Sequence, residues 1–180
     1  MGPADLTAHI PSLRRYARAL TGDAWAADDL VQDTLERACG KWRLWTVGTN
    51  LRAWLFTLMH HLHASQVRQS SRRAAMLPLV DVEDVEAELV APAAADGLAL
   101  DLQRCLLQLP EEQRAVLLLV SLEDMSYAQV ARITGAPIGT VMSRLSRARS
   151  RLQALLNAPA GTGHVGSGAS GDTPRLKRLK

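Results

Sequence analysis

Residues 126–157 constrain this chain more than any other stretch. Ser126-Tyr-Ala-Gln129 has the form of a capping box, in which a Ser hydroxyl and a Gln amide satisfy unpaired amides at a helix start. A short apolar helical pattern follows through Val130 and Ile133, and Gly135 stops it. Ala136-Pro137-Ile138-Gly139 turns the chain, and a longer helix is expected from about Thr140 to Leu156. In that helix Val141, Leu145, Ala148 and Leu152 recur at i, i+4, i+7 and i+11, which predicts a buried face. Ser143, Ser146, Arg147 and Ser150 then point the opposite way, with Arg144, Arg149 and Arg151 flanking. Between Pro137 and Asn157 there are four Arg and no acid. A short helix, a Gly-containing turn and a longer basic helix make the helix-turn-helix pattern, whose second helix enters the major groove of DNA. Serine is small enough to let such a helix settle deep, and Arg supplies charge and forked donors. An Arg-rich amphipathic helix is also a common form of solvated face. The coincidence of turn, cap and missing acids favours DNA.

The rest of the chain also reads as helices. Only 4% of its 180 residues are aromatic, and the β-branched and aromatic runs that build sheets are missing, so the fold class is all-α. One helix follows Pro11, carries Leu13, Ala17 and Leu20, and stops at Thr21-Gly22-Asp23. A second, about Ala24–Trp42, points Leu30, Val31, Thr34, Leu35 and Ala38 one way and Asp29, Gln32, Asp33 and Glu36 the other. A third runs from about Asn50 with a stripe of Leu51, Trp54, Leu55, Leu58 and Leu62, after a loop bearing Trp42, Trp45 and Gly48. Leu109-Pro110-Glu111-Glu112 starts a further helix, with acids at the positive end of its dipole and Val116, Leu117, Leu119 and Val120 as its buried face.

Charge divides the chain. Residues 1–75 carry ten Lys/Arg against six Asp/Glu, and 98–157 carry seven against five, whereas 76–97 hold six acids and no base. That acidic strip contains Pro78, Pro92 and Ala91-Pro-Ala-Ala-Ala and has no sustained amphipathic period. It is expected to be a flexible linker between two small helical domains, 1–75 and 98–157. Residues 158–180 are Gly/Ser-rich and end Arg175-Leu-Lys-Arg-Leu-Lys180, which predicts a disordered basic tail. The two cysteines, Cys39 and Cys105, are far apart and form no CxxC pair, and no metal framework is expected. The beginning of the sequence lacks a basic-then-apolar leader pattern, and no apolar run approaches the length of a membrane span, so a cytoplasmic protein without membrane insertion is expected.

Three segments of the second block, Leu109-Pro-Glu-Glu-Gln-Arg, Ser126-Tyr-Ala-Gln-Val-Ala and Gly139-Thr-Val-Met-Ser-Arg-Leu-Ser-Arg-Ala-Arg, resemble the promoter-binding fourth region of extracytoplasmic-function (ECF) sigma factors. In the first block Asp28-Asp-Leu-Val-Gln-Asp-Thr-Leu-Glu-Arg and Asn50-Leu-Arg-Ala-Trp-Leu-Phe-Thr-Leu resemble their second region. The resemblance covers about residues 10–75 and 98–157 in the family's order. It implies that Asp29, Gln32 and Asp33 dock on the β′ clamp helices of core RNA polymerase, with a second contact at the β flap. It also implies that Thr140, Ser143, Arg144, Ser146, Arg147 and Arg149 contact the minus-thirty-five element of promoter DNA, and that an anti-sigma factor holds the free protein.

By the same resemblance, a loop that captures a flipped minus-ten base is expected at His60-His61-Leu62-His63-Ala64-Ser65. His61 stands at the family's usual Asn, Ser65 where Asp or Asn is common, and Met142 where a basic residue is frequent. Histidine stacks on bases and bonds their edges, so His60, His61 and Ser65 become minus-ten candidates. His60 and His63 share a helical face, but no adjacent acid or Cys completes a metal site. The resemblance implies neither a cofactor nor bond chemistry. Two alternatives stay open on the residues: an autonomous duplex-binding regulator, and a sigma mimic that sequesters an anti-sigma factor.

Overall fold

The computed structural model describes residues 4–42, 50–76 and 97–158, and among these it is built of helices without strands. In chain order they are α1 (Ala4–Thr7), α2 (Ile10–Thr21), α3 (Ala24–Gly40), α4 (Leu51–Met76), α5 (Gly97–Leu107), α6 (Glu111–Ser121), α7 (Tyr127–Thr134) and α8 (Ile138–Asn157). Most of the strip expected as a linker, the tail beyond Ala158, and Trp45 and Gly48 lie outside the described residues.

Local chemistry sets the ends of these helices. Pro11 sits in the first turn of α2, and Gly22 closes that helix at φ 77, donating its N–H to the Arg18 carbonyl. A side chain at Gly22 would also collide, since a Cβ there would lie 2.5 Å from a methyl of Leu107 on α5. Asp23 caps α3 by accepting from the Ala26 amide at 2.6 Å, and Asn50 does the same for α4 through the Ala53 amide at 3.0 Å. The capping box at α7 is complete: Ser126 Oγ accepts from the Gln129 amide at 3.3 Å, and Gln129 Oε1 accepts from the Ser126 amide at 2.9 Å. Gly135 ends α7 in the left-handed region at φ 67. Pro137 then starts α8 two residues earlier than the periodicity suggests.

Two bundles result. In the first, α2 and α4 both pack on α3, and Tyr16 meets Phe56 edge-on at 5.2 Å between ring centres. In the second, α5, α6 and α7 pack on α8, which buries Val141, Leu145 and Ala148 as expected and half-buries Leu152. The burial of α4 departs from the expected stripe. Its closed side holds Leu51, Leu55, Phe56, Met59 and His63, while Trp54, Leu58 and Leu62 are only half-buried. The reason is a second neighbour: α4 packs on α3 and also on α7, so its covered arc is rotated toward the other bundle. Likewise α6 is enclosed along the whole run Ala115–Leu119, with Val120 at its edge, because α2, α5, α7 and α8 all pack against it. The helix α5, which no pattern in the sequence singled out, contributes buried Leu106 to this core.

Ser126→Ala removes one half of the capping box. It is expected to lower stability by about 1 kcal/mol, or roughly 3 °C in Tm, read by thermal unfolding followed by circular dichroism.

Candidate nucleic-acid and docking surfaces

The outward face of α8 is held in place by Val141, Leu145 and Ala148 behind it. On that face Met142, Ser143, Ser146, Arg147 and Ser150 are exposed, as is Arg149, and Ser143 Oγ donates to the Thr140 carbonyl at 3.0 Å. Thr140 and Arg144 differ. Both are half-buried, and the Arg144 guanidinium is paired with the Glu112 carboxylate of α6. The six residues expected to read DNA from this helix therefore divide into an open group and a group turned toward α4.

What α4 presents there is the histidine segment. Residues 51–76 form one uninterrupted helix, so the expected loop at His60–Ser65 is absent. With no Gly or Pro between Leu51 and Met76, nothing in the sequence breaks the helical hydrogen bonding. His61 and Ser65 are exposed on it, His60 is half-buried and His63 is buried. His60, His61, Ala64 and Arg68 line one wall of a cavity of about 540 Å³, whose other wall is Glu111, Glu112, the turn Thr134–Pro137, Thr140 and Arg144. His60 and His61 of one set of DNA-reading candidates thus face Thr140 and Arg144 of the other. Among the described residues, no three His, Cys, Asp or Glu side chains converge as a metal site.

On α3 the buried side is Ala27, Leu30, Val31, Thr34 and Ala38, which leaves Asp29 and Gln32 exposed and Asp33 half-buried. Gln32 donates to Glu36 at 3.1 Å, and Gln66 of α4 donates to Asp33 at 3.3 Å. Partial burial, with Asp29 and Glu36 nearby, raises the Asp33 carboxyl above its ordinary pKa.

Comparison with known proteins decides what these surfaces belong to. Residues 6–60 match the family model of the sigma2 domain of PhyR, and residues 99–152 match that of sigma-70 region 4. The ECF RNA polymerase sigma factor EcfG of Rhodopseudomonas palustris is 40% identical over 158 residues, covering 84% of this chain and 83% of that protein. The chain belongs to the ECF RNA polymerase sigma factors. SigM of Mycobacterium tuberculosis is 34% identical over 151 residues, 82% of this chain and 73% of its own. Among solved structures, the sigma factor RpoE of Bartonella quintana, in complex with the anti-sigma factor NepR, superposes with a TM-score of 0.73 at 37% identity. That match covers 87% of this chain and 96% of RpoE. CnrH, solved with the cytosolic domain of CnrY, gives 0.62 at 28% identity, covering 88% and 89%. This sigma factor directs transcription initiation, acting with core RNA polymerase on promoter DNA. No described helix is long and apolar enough to cross a membrane.

In this sigma factor the two regions are fastened to each other by a carboxylate that sequence reasoning did not single out. Glu123, in the turn between α6 and α7, has a fully buried side chain. Arg15 of α2 donates to its Oε1 through Nε at 3.1 Å and lies 2.9 Å from it through Nη2. Arg52 of α4 donates to Oε2 at 2.5 Å and to the Glu123 backbone carbonyl at 2.8 Å. The Arg52 guanidinium also lies 5.4 Å from the centre of the Phe56 ring. A lone acid in a short turn carries no periodic signal, so only the folded pairing reveals it.

Nearby, His63 Nε2 lies 3.5 Å from Glu111 Oε1 of α6 without hydrogen-bond geometry. Burial, reinforced by Arg114, pushes His63 down to about 4, and burial with His61, His63 and Arg144 does the same to His60. Both imidazoles are therefore neutral in this arrangement at pH 7, and the His63–Glu111 contact is not an ion pair.

Glu123→Gln leaves two guanidinium groups without their shared anion. The expected cost is about 3 kcal/mol, at the low end for a broken buried pair because the Arg15 and Arg52 side chains keep 54% and 33% of their exposure. Urea unfolding and the loss of energy transfer between fluorophores on α3 and α8 would measure it. For the histidines, opening or unfolding returns the pKa toward 6.5, so the open state binds more protons between about pH 6.5 and 4. The closed form is then expected to weaken as pH falls through that window, with NMR titration midpoints of His60 and His63 near 4.

Proposed function

We propose that the two regions divide the work residue by residue. Region two, residues 1–75, docks on the β′ clamp helices of core polymerase through Asp29, Gln32 and Asp33, and holds the melted minus-ten strand with His60, His61 and Ser65. Region four, residues 98–157, reads the minus-thirty-five duplex with Thr140, Ser143, Arg144, Ser146, Arg147 and Arg149 and reaches the β flap. Residues 76–97 tether them, and the basic tail 158–180 adds nonspecific attraction to nucleic acid. The protein performs no bond chemistry and works in the cytoplasm, where polymerase and promoters are. The observation that carries this reading is the exposed, acid-free face of α8, with Ser143, Ser146 and Arg147 standing opposite its buried Val141, Leu145 and Ala148.

In this reading, promoter engagement needs the regions to part. Elements about 25 base pairs apart lie on the order of 80 Å from one another along the duplex. A compact body of this size has a radius of gyration of only about 14 Å. A tether of the length of residues 76–97 reaches roughly 70 Å when extended, and each bound region raises the local concentration of the other at its own site. Parting also frees Thr140 and Arg144 from the cavity shared with His60 and His61.

An anti-sigma factor that held the regions together would keep these readers facing inward. A groove of about 880 Å³ runs between α2, α5, α6 and α8, floored by Leu106, Leu117 and Leu118 and rimmed by Arg15, Arg18 and Arg149. A helix with one apolar and one acidic face suits it; that RpoE was solved with the anti-sigma factor NepR, and CnrH with the cytosolic domain of CnrY, supports a protein partner.

Run-off transcription with core polymerase on fragmented genomic DNA tests the whole reading. Promoter-specific transcripts are expected; their absence from every fragment, with anti-sigma binding intact, favours the mimic. Within it, Arg147→Ala is expected to weaken binding to a minus-thirty-five duplex by about 5- to 150-fold, about 1–3 kcal/mol, while leaving core binding unchanged. An unaltered duplex affinity removes Arg147 from the reading set.

A further inference from the structure

Trp25, in the first turn of α3, is 82% exposed, far more than any other large apolar side chain among the described residues. The fold makes no use of it. At 100° per residue Trp25 stands diametrically opposite buried Thr34, at the centre of the open side of the helix. Asp29, Gln32 and Glu36 follow at i+4, i+7 and i+11, all within about 40° of the same line. The indole therefore heads the stripe that the polymerase-docking reading already uses.

A single exposed hydrophobic residue is ordinary on a protein surface, but three observations make this one a contact. The turn that carries it is fixed, because Asp23 caps α3 through the Ala26 amide and its carbonyl accepts from the Ala27 amide at 3.0 Å. A side chain on a rigid turn loses little freedom on binding. This part of the helix has one sign of charge: from Ala24 to Glu36, α3 carries Asp28, Asp29, Asp33 and Glu36 and no base. Asp28 is paired with Arg14 at 2.9 Å, whereas Asp33 is raised first by partial burial and then by Asp29 and Glu36, and a cationic partner would offset that second part. The third observation is that indole faces attract Arg and Lys as carboxylates do, so the aromatic and the acids select the same kind of surface.

We infer that Trp25 is the aromatic anchor of the α3 docking face, stacking on an Arg- or Lys-bearing helical surface of core RNA polymerase beside the contacts made by Asp29 and Gln32. The inference rests on the reading that this face docks on polymerase. Tryptophan at the end of such a stripe supplies a large contact area, and residues of this type dominate interface energies.

Full-length wild type, Trp25→Ala, Trp25→Phe and Asp29→Ala would be titrated against core polymerase by fluorescence anisotropy, with thermal unfolding and sedimentation of each. Trp25→Ala is expected to weaken core binding 10- to 100-fold with Tm and minus-thirty-five duplex affinity unchanged, and Trp25→Phe to restore part of the loss. If Asp29→Ala weakens binding and Trp25→Ala does not, the anchor is overturned while the docking face stands. Wild-type-like binding by both variants overturns the docking reading itself. A lowered Tm in Trp25→Ala makes the residue structural and overturns the anchor. So does wild-type self-association that Trp25→Ala abolishes while core binding persists, since the indole would then face a second copy.

Discussion

The arrangement of the two regions depends on where one carboxylate is buried. The Glu123 side chain has no solvent-exposed surface, and a buried anion is tolerated only when charge and hydrogen bonds surround it. Arg15 and Arg52 supply both, and they come from two different helices of the other region. Arg52 and Arg15 also bind the carbonyls of Glu123 and Leu122, so the turn is held by its backbone as well as its side chain. This fixes the end of α6 and the start of α7 against α2 and α4. From that follow the rotated burial of α4, the contact of Leu107 with Gly22, and the closeness of the histidines to the turn before α8.

The seam built around Glu123 differs in kind from the two cores it joins. Inside each bundle the buried side chains are almost all apolar, as with Leu30 and Phe56 in one and Leu119 and Ile133 in the other. At the seam lie Tyr16, His60, His63, Gln113 and Arg114, each with a buried polar atom that has no hydrogen-bond partner among the described residues. Such atoms cost free energy when covered and recover it in water. Burial likewise drives the Tyr16 hydroxyl away from ionisation and the two imidazoles toward neutrality. A contact that carries ion pairs and unsatisfied polar groups loses less on exposure to water than a wholly apolar one would.

This contrast explains what the sequence could and could not convey. The helix-turn-helix was legible because each of its parts is local: the Ser126–Gln129 box, the left-handed Gly135, and the repeat Val141, Leu145, Ala148. The all-α class, the acidic face of α3 and the family itself were legible for the same reason. The helix α5 was missed because Gly97-Leu-Ala-Leu-Asp-Leu follows a Pro/Ala-rich stretch and opens on a Gly, a poor helix former. Glu123 and its arginines are more than 70 residues apart in the chain, so no spacing could join them. The placement of His60–Ser65 in a loop came from the resemblance alone, whereas their own sequence, free of Gly and Pro, already favoured continuing α4.

The same seam sorts the residues of α8 by task. Arg144 and Thr140 lie on the side facing α4, and Arg144 already has an anionic partner in Glu112, so its guanidinium reaches DNA only by exchanging that carboxylate for phosphate or base. Arg149 stands on the other flank, lining the groove against α2 and also the shallow recess beside Tyr127 and Met142. Between them, Met142, Ser143, Ser146 and Arg147 are open in the closed arrangement. Only one of these four is charged. In the proposed function, the centre of the reading face is therefore small and neutral apart from Arg147, which suits close approach to base edges, and the flanking arginines are left for the backbone once the regions part.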